Sequence, residues 1–254
     1  MEVRVLGCSG GSVPGFELSS FLVDSELLLD AGSASAILSL EEQEKIRGLL
    51  LTHAHLDHIF GLSVILDNMM DMEGYTITVY SIPEVLQIVK HHVFNNHIWP
   101  DFTRIPSAHN PILRFEALQA GVETTIEEKK VLPIATNHGV PSVGYFVGTA
   151  EGTILYVGDS GPTEEIWQWA RRIGNLRGII METSFPNRYQ WLADISKHLT
   201  PYTLGKELQK LGDLDIPVLI YHLKPKYREE IIAELNALND RRIVVLEQGK
   251  TYRF

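Results

Sequence analysis

The run THAHLDH, residues 52–58, constrains this chain more than any other feature. It sets His53, His55, Asp57 and His58 between an apolar stretch, GLLL, and an amphipathic one, IFGLSVIL. In extended backbone alternate side chains point the same way, so His53 and His55 converge on one cation. Asp57 and His58, at the turn into a following helix, then face a second cation nearby. A solvated loop accounts for one histidine. Three histidines and an aspartate against an apolar strand would bury polar groups without partners, a cost that metal coordination removes.

Four residues do not complete two sites, so the motif predicts further ligands where later apolar runs end. His138 follows VLPIATN, Asp159 ends TILYVGD and His222 follows PVLIY. His91, His92, His97 and His109 lack that placement and are expected not to be ligands, with His97 a candidate pocket wall. Strand-like runs (EVRVLG, SFLVDS, ELLLDAG, GLLLTH, TITVYS, TILYVGDS, GIIMETS, PVLIYH and RRIVVLEQ) extend from end to end. Helical periodicity separates them over 33–45, 59–70, 83–94, 162–173, 201–211 and 227–238. SFLVDSELLLDAG reads as a hairpin hinged at Asp24-Ser25, whereas later strands alternate with helices, so a mixed α/β sheet system is expected. No repeat or Ser/Gly-rich linker marks a boundary, and 254 residues with 44% hydrophobic composition suffice for a substantial core.

Composition narrows the function classes. Asp+Glu 32 against Lys+Arg 22, a net charge of -10, disfavours non-specific binding to nucleic acid or anionic lipid. No apolar run approaches membrane-spanning length. Cys8 is the one cysteine, which excludes an intramolecular disulfide and a cysteine zinc cluster. It reads as a buried bystander in a reducing compartment, and with no signal-peptide pattern a cytoplasmic location is expected. GCSGGSVPG lacks the spacing of a nucleotide-binding loop and reads as a loop passing close to the metal site.

THAHLDH, with LLLDAG before it and His138, Asp159 and His222 after it, resembles the metallo-β-lactamase superfamily over essentially the whole chain. The resemblance implies an α/β fold of the four-layer αββα sandwich type, a single metallo-hydrolase domain over 1–254. It further implies one metal on His53, His55 and His138 and a second on Asp57, His58 and His222, with Asp159 bridging and Asp30 in support. Imidazole and carboxylate without thiolate suit two divalent ions, zinc first, with manganese or iron compatible. Two such ions about 3.5–4 Å apart hold one nucleophilic hydroxide between them.

Six segments in order, HAHLDHIFGL, FNNHIWPDFTRIPS, NHGVPSVGYFV, ETSFPN, SKHLTP and YHLKP, resemble the class II cyclic nucleotide phosphodiesterases. That resemblance implies hydrolysis of 3′,5′-cyclic AMP or GMP to the 5′-monophosphate by in-line attack of the bridging hydroxide. Asp57, Asp159 and His198 are then catalytic: Asp57 orients the hydroxide, and His198, or a metal-bound water, protonates the leaving 3′-oxygen. ETSF with HLTP also resembles the Glu and His pair of tRNA-processing relatives, in which that His contacts the scissile phosphate or leaving group. Lys197 departs from the pattern, which has Gly there. The irregular segment 91–122 is expected to hold the nucleoside, with Asn95, Asn96, Trp99 and Asp101 offering amides, an aromatic face and an acceptor. The alternative is that Trp99 packs in the core and the asparagines cap a helix. Lys224 and Lys226 either meet phosphate or are simply solvated. Competing readings are a tRNA 3′-end or other phosphodiesterase, a glyoxalase-type thioesterase, and, from another class, a non-hydrolytic diiron sensor. The expected partner is a small-molecule nucleotide, not long nucleic acid or membrane, and on frequency alone a homodimer.

Overall fold

A computed structural model describes residues 1–212 and 214–254. The chain opens with an antiparallel meander of β1 (Glu2–Gly7), β2 (Ser20–Val23) and β3 (Leu27–Ala31). Its second turn falls at Asp24-Ser25, with φ of 46° and 68°, the left-handed pair whose twist suits a tight hairpin. α1 (Ala34–Ile37) and α2 (Leu40–Gln43) lead to β4 (Gly48–Leu50), and α3 (Leu56–Asn68) to β5 (Ile77–Ser81). α4 (Pro83–His92) and a long loop precede β6 (Leu113–Ala117). β3 to β6 are parallel, and the last strand of the chain pairs with β1 at the opposite edge.

The second sheet is built from β7 (Thr124–Ile126), β8 (Lys129–Ala135), β9 (Val143–Gly148), β10 (Thr153–Tyr156), β11 (Leu176–Glu182), β12 (Val218–Tyr221) and β13 (Ile243–Val245). Neighbours are antiparallel as far as β10 and parallel from there on. Its helices are α5 (Glu165–Ala170), α6 (Gln190–Ser196), α7 (Pro201–Lys210) and α8 (Arg228–Ala237), and β14 (Thr251–Arg253) returns to β1.

Three apolar layers follow from strand alternation. In β3, Leu28 points outward into a core shared with Ile59, Leu62 and Leu66 of α3 and with Val85 of α4. Leu27 and Leu29 point the other way, against Val143, Tyr145 and Tyr156 of the second sheet. Beyond that sheet, Ile179, Met181 and Ile220 pack on Trp167, Leu204, Leu208 and Ile231. Helix, sheet, sheet, helix is the αββα sandwich expected.

Several elements differ from the pattern in the sequence. The helix expected over 33–45 is broken at Leu38, whose ψ is 133°, because Ser39 starts a new helix through a capping box with Glu42. β6, β7, β9, α6 and β14 were not anticipated, and β8 only as the apolar run VLPIATN that leads to His138. β6 is an edge strand in which only Leu113 is fully buried, so it carries little apolar pattern. β8 contains Pro133, tolerated because β7 pairs no further than Val131.

Candidate active site

The site lies where strands of both sheets end. Past β4 the chain runs through Thr52 and His53 to His55, the residue that precedes α3. His55 has extended backbone there and makes no side-chain cap bond, which leaves its imidazole for the cluster. Asp57 and His58 lie inside the first turn of α3, one step later than a simple turn would place them. Gly32 admits this approach, since a Cβ at that position would sit 2.1 Å from the Asp57 carbonyl oxygen.

Beneath this segment sits Asp30, fully buried in left-handed backbone with φ 51°. Its carboxylate accepts from the Thr52 amide (2.8 Å), the Thr52 hydroxyl (2.8 Å), the Tyr156 hydroxyl (2.6 Å) and His58 Nδ1 (2.7 Å). Because the Thr52 proton is committed to Asp30, its oxygen accepts from His53 Nδ1 at 2.9 Å. His53 and His58 therefore carry their protons on Nδ1 and turn the Nε2 lone pairs inward.

The second sheet fixes its histidines differently. Glu182, at the end of β11, accepts His198 Nδ1 on one oxygen (2.7 Å) and the Ser184 hydroxyl on the other (2.8 Å). Ser184 in turn accepts from His222 Nδ1 at 2.8 Å. His138 Nδ1 donates to the Lys197 carbonyl at 3.2 Å. The glycine-rich N-terminal loop passes the site as expected: the Cys8 carbonyl accepts the His222 amide at 2.7 Å, and a Cβ on Gly10 would lie 2.7 Å from His222 Nδ1.

These supports bring all seven residues expected as ligands together. His53, His55 and His138 form one group, and Asp57, His58 and His222 another; within each, the ligand atoms lie within 4.8 Å of one another. Asp159 Oδ2 stands between the groups, 3.8 Å from His53 Nε2 and 3.4 Å from both His58 Nε2 and His222 Nε2. His198 Nδ1 is 3.9 Å from the same oxygen. Among the described residues, His91, His92, His97 and His109 join no such group.

The donor set fits cations. His58 Nε2 and Asp159 Oδ1 are buried with no hydrogen-bond partner. His53 Nε2 faces His55 Nδ1 at 3.0 Å although its own proton is on the far nitrogen. Such orphaned acceptors are costly unless a positive ion sits among them. Burial holds the His53, His55 and His138 imidazoles below their ordinary pKa, so they stay neutral, the form that ligates. Burial also opposes charge on His58, but Asp159 and Asp30 outweigh it and raise its pKa well above the usual imidazole value, so with no ion bound Nε2 holds a proton as well, and that proton would leave when a cation takes the lone pair. Burial works against both carboxylates, yet His222 and His58 hold Asp57 and Asp159 below the usual carboxylate range. On the same logic, burial is overcome at His198 by Glu182, which raises its pKa. His55, Asp57 and His138 are partly exposed, so the cluster opens to solvent on their side.

The residues expected to bind substrate are engaged in local structure. Asn95 donates to the His91 carbonyl and accepts the His97 and Ile98 amides, ending α4. Asn96 accepts the Asp101 amide at 2.9 Å, and Asp101 accepts Thr103. Trp99 packs partly buried on the outer core of the first sheet, its Nε1 without a partner. Lys224 donates to the Gly10 carbonyl at 2.7 Å, tying down the glycine loop. Sequence reasoning missed Ser184, Tyr156 and the Lys197 carbonyl. The ETSF context pointed toward the first and the pattern's Gly at position 197 toward the last, while nothing pointed to Tyr156.

A family model described as a beta-lactamase superfamily domain matches residues 25–245. The chain belongs to that superfamily, and its fold and His/Asp cluster make it a hydrolase dependent on divalent metal. Among curated proteins it is similar to a probable 3′,5′-cyclic-nucleotide phosphodiesterase of Yersinia pestis, 28% identical over an alignment of 317 positions covering 100% of this chain and 89% of that one. A 3′,5′-cyclic-nucleotide phosphodiesterase of Aliivibrio fischeri is likewise 28% identical, over 100% and 92% of the two chains. In fold the chain is similar to unliganded yeast PDE1, with a TM-score of 0.83, 22% identity and 98% of each chain covered.

Proposed function

We propose that this chain hydrolyses the cyclic phosphodiester of 3′,5′-cyclic AMP or GMP to the nucleoside 5′-monophosphate. The observation that carries the reading is the Asp159 carboxylate set between two ligand groups, with His198 beside it on a buried glutamate. The two bacterial relatives, named for this activity and aligned over the full chain, support it.

In this reading His53, His55 and His138 would hold one divalent ion and Asp57, His58 and His222 a second, with the Asp159 carboxylate available to either from between the two groups. Zinc is the first choice, and manganese or iron also suit nitrogen and oxygen donors. Bound there, the ions supply an activated water at neutral pH and positive charge that favours the phosphoryl transition state over the ground state. The chain's own groups do the positioning. The Asp57 carboxylate accepts a hydrogen bond from the attacking water and aims it opposite the 3′-oxygen. His198, anchored through Nδ1 on Glu182, donates from Nε2 to that oxygen as the bond breaks, and Glu182 compensates its charge. A small nucleotide, not long nucleic acid, suits a chain of net charge -10. A reducing cytoplasm suits its single thiol, which burial raises to about 11.

The test is product analysis with cyclic AMP and cyclic GMP, the protein being loaded separately with zinc, manganese or iron. Wild type should release 5′-monophosphate, and Asp57→Ala should release none. Absence of turnover with every metal, despite bound ions, would overturn the reading and bring forward a thioesterase or a diiron sensor.

A further inference from the structure

We propose that Lys197 is a positioning residue shared by His138 and His198, acting through its backbone; the inference rests on the roles given above to those two histidines. Lys197 closes α6 in the left-handed conformation, φ 58° and ψ 53°. In that conformation its carbonyl lies 3.2 Å from His138 Nδ1. A carbonyl only accepts, so the proton is on Nδ1 and Nε2 is left for the cluster, where it lies 3.3 Å from His55 Nδ1. The same peptide unit supplies the amide of His198, which donates to the Ala193 carbonyl at 2.9 Å while the ring reaches Glu182. One pair of dihedral angles thus sets the tautomer of a ligand and the entry angle of the proton donor.

The surroundings are built for that backbone. A Cβ on Gly161 would lie 3.4 Å from the Lys197 Cα, so the residue packs on the loop that carries Asp159. The Gly161 amide donates to the Asn137 carbonyl at 2.8 Å, linking that loop to the one carrying His138. Immediately after His198 and Leu199, Thr200 caps α7 and accepts the Thr203 amide, which limits how far the segment can shift. The Lys197 side chain is exposed and makes no ion pair among the described residues. Any residue that enters left-handed backbone can therefore do the work, and a β-branched one cannot.

Wild type, Lys197→Gly, Lys197→Asn and Lys197→Val are compared well below their unfolding temperatures, with Lys197→Thr as the second β-branched variant should Val not fold. The readouts are nitrogen NMR of the His138 ring in metal-free protein, calorimetric zinc titration, and kcat and KM on cyclic AMP. Gly and Asn should keep the Nδ1–H tautomer and rescue zinc affinity and kcat to within about twofold of wild type. Val, and Thr to a smaller degree, should lose the tautomer, weaken zinc about tenfold and lower kcat about tenfold to a hundredfold with KM nearly unchanged. A wild-type tautomer and zinc affinity in Val and Thr would overturn the proposal. So would equal damage from Gly and Val, which would put the role in the side chain. If no protein turns over cyclic AMP, the proposed reaction fails, and the tautomer and zinc readouts still decide on Lys197.

Discussion

The two sheets contribute to one cluster in opposite ways. The first sheet delivers His53, His55, Asp57 and His58 from a single strand-to-helix segment and steadies it on one buried carboxylate, Asp30. The second sheet delivers His138, Asp159, His198 and His222 from four separate places, with the Lys197 carbonyl holding His138 and the Glu182–Ser184 pair holding His198 and His222. A contiguous motif concentrates its support, so a single loss there should collapse the whole half. A dispersed set distributes support, so each loss should be partial and should separate metal binding from turnover. Left-handed backbone at Asp30, Lys197 and His222 shows strain collected around the site in both halves.

The largest effect expected is at the concentrated support. Asp30→Ala strands His58, Thr52 and Tyr156 without their common acceptor, and should destabilise the metal-free protein by about 3–5 kcal/mol in urea unfolding. A loss near that of an ordinary surface change would show that the first half does not depend on one residue. In the dispersed half, Glu182→Gln keeps the shape but removes the charge opposite His198. Turnover should fall about a hundredfold while metal content, measured by elemental analysis, stays at the wild-type level. Parallel loss of metal would place His198 among the ligands. Ser184→Ala leaves His222 Nδ1 without its acceptor and should weaken metal binding about tenfold in calorimetric titration, with the fold intact.

The same contrast decides what the sequence could reveal. Ligands packed into six residues announce themselves, and the later ones were found because each follows an apolar run. Asp30 was legible through LLLDAG. The supports of the second half were not, because a serine such as Ser184 has no distinctive neighbours and the Lys197 carbonyl is present in every residue type. Only its conformation matters, and a lysine is an unusual carrier of it. Burial of both faces made LLLDA readable as a strand, and the open edge hid LRFEA of β6, although VGYFVG of β9 was missed while buried throughout. Pro133 kept β8 from reading as a strand, yet its apolar residues still pointed to His138, and the proline is tolerated because the neighbouring strand stops short of it.

The smallest effect expected lies outside both halves, in the segment that the sequence suggested for the nucleoside. Asn96 has φ 63°, donates its amide to the Trp99 carbonyl and accepts the Asp101 amide, each at 2.9 Å. Those bonds shape the loop whether or not a substrate touches it. Asn96→Ala should therefore cost about 1 kcal/mol of stability, the worth of one such bond, and leave KM within about twofold. Asn96→Asp sharpens the point, because it keeps the oxygen that accepts the Asp101 amide and removes the side-chain NH2. Stability should be retained. If KM for cyclic nucleotides then rises tenfold while kcat holds, the amide meets the base, and this loop belongs to the site after all. An unchanged KM assigns Asn96 to the loop alone and leaves recognition to residues around the exposed edge formed by His55, Asp57 and His138.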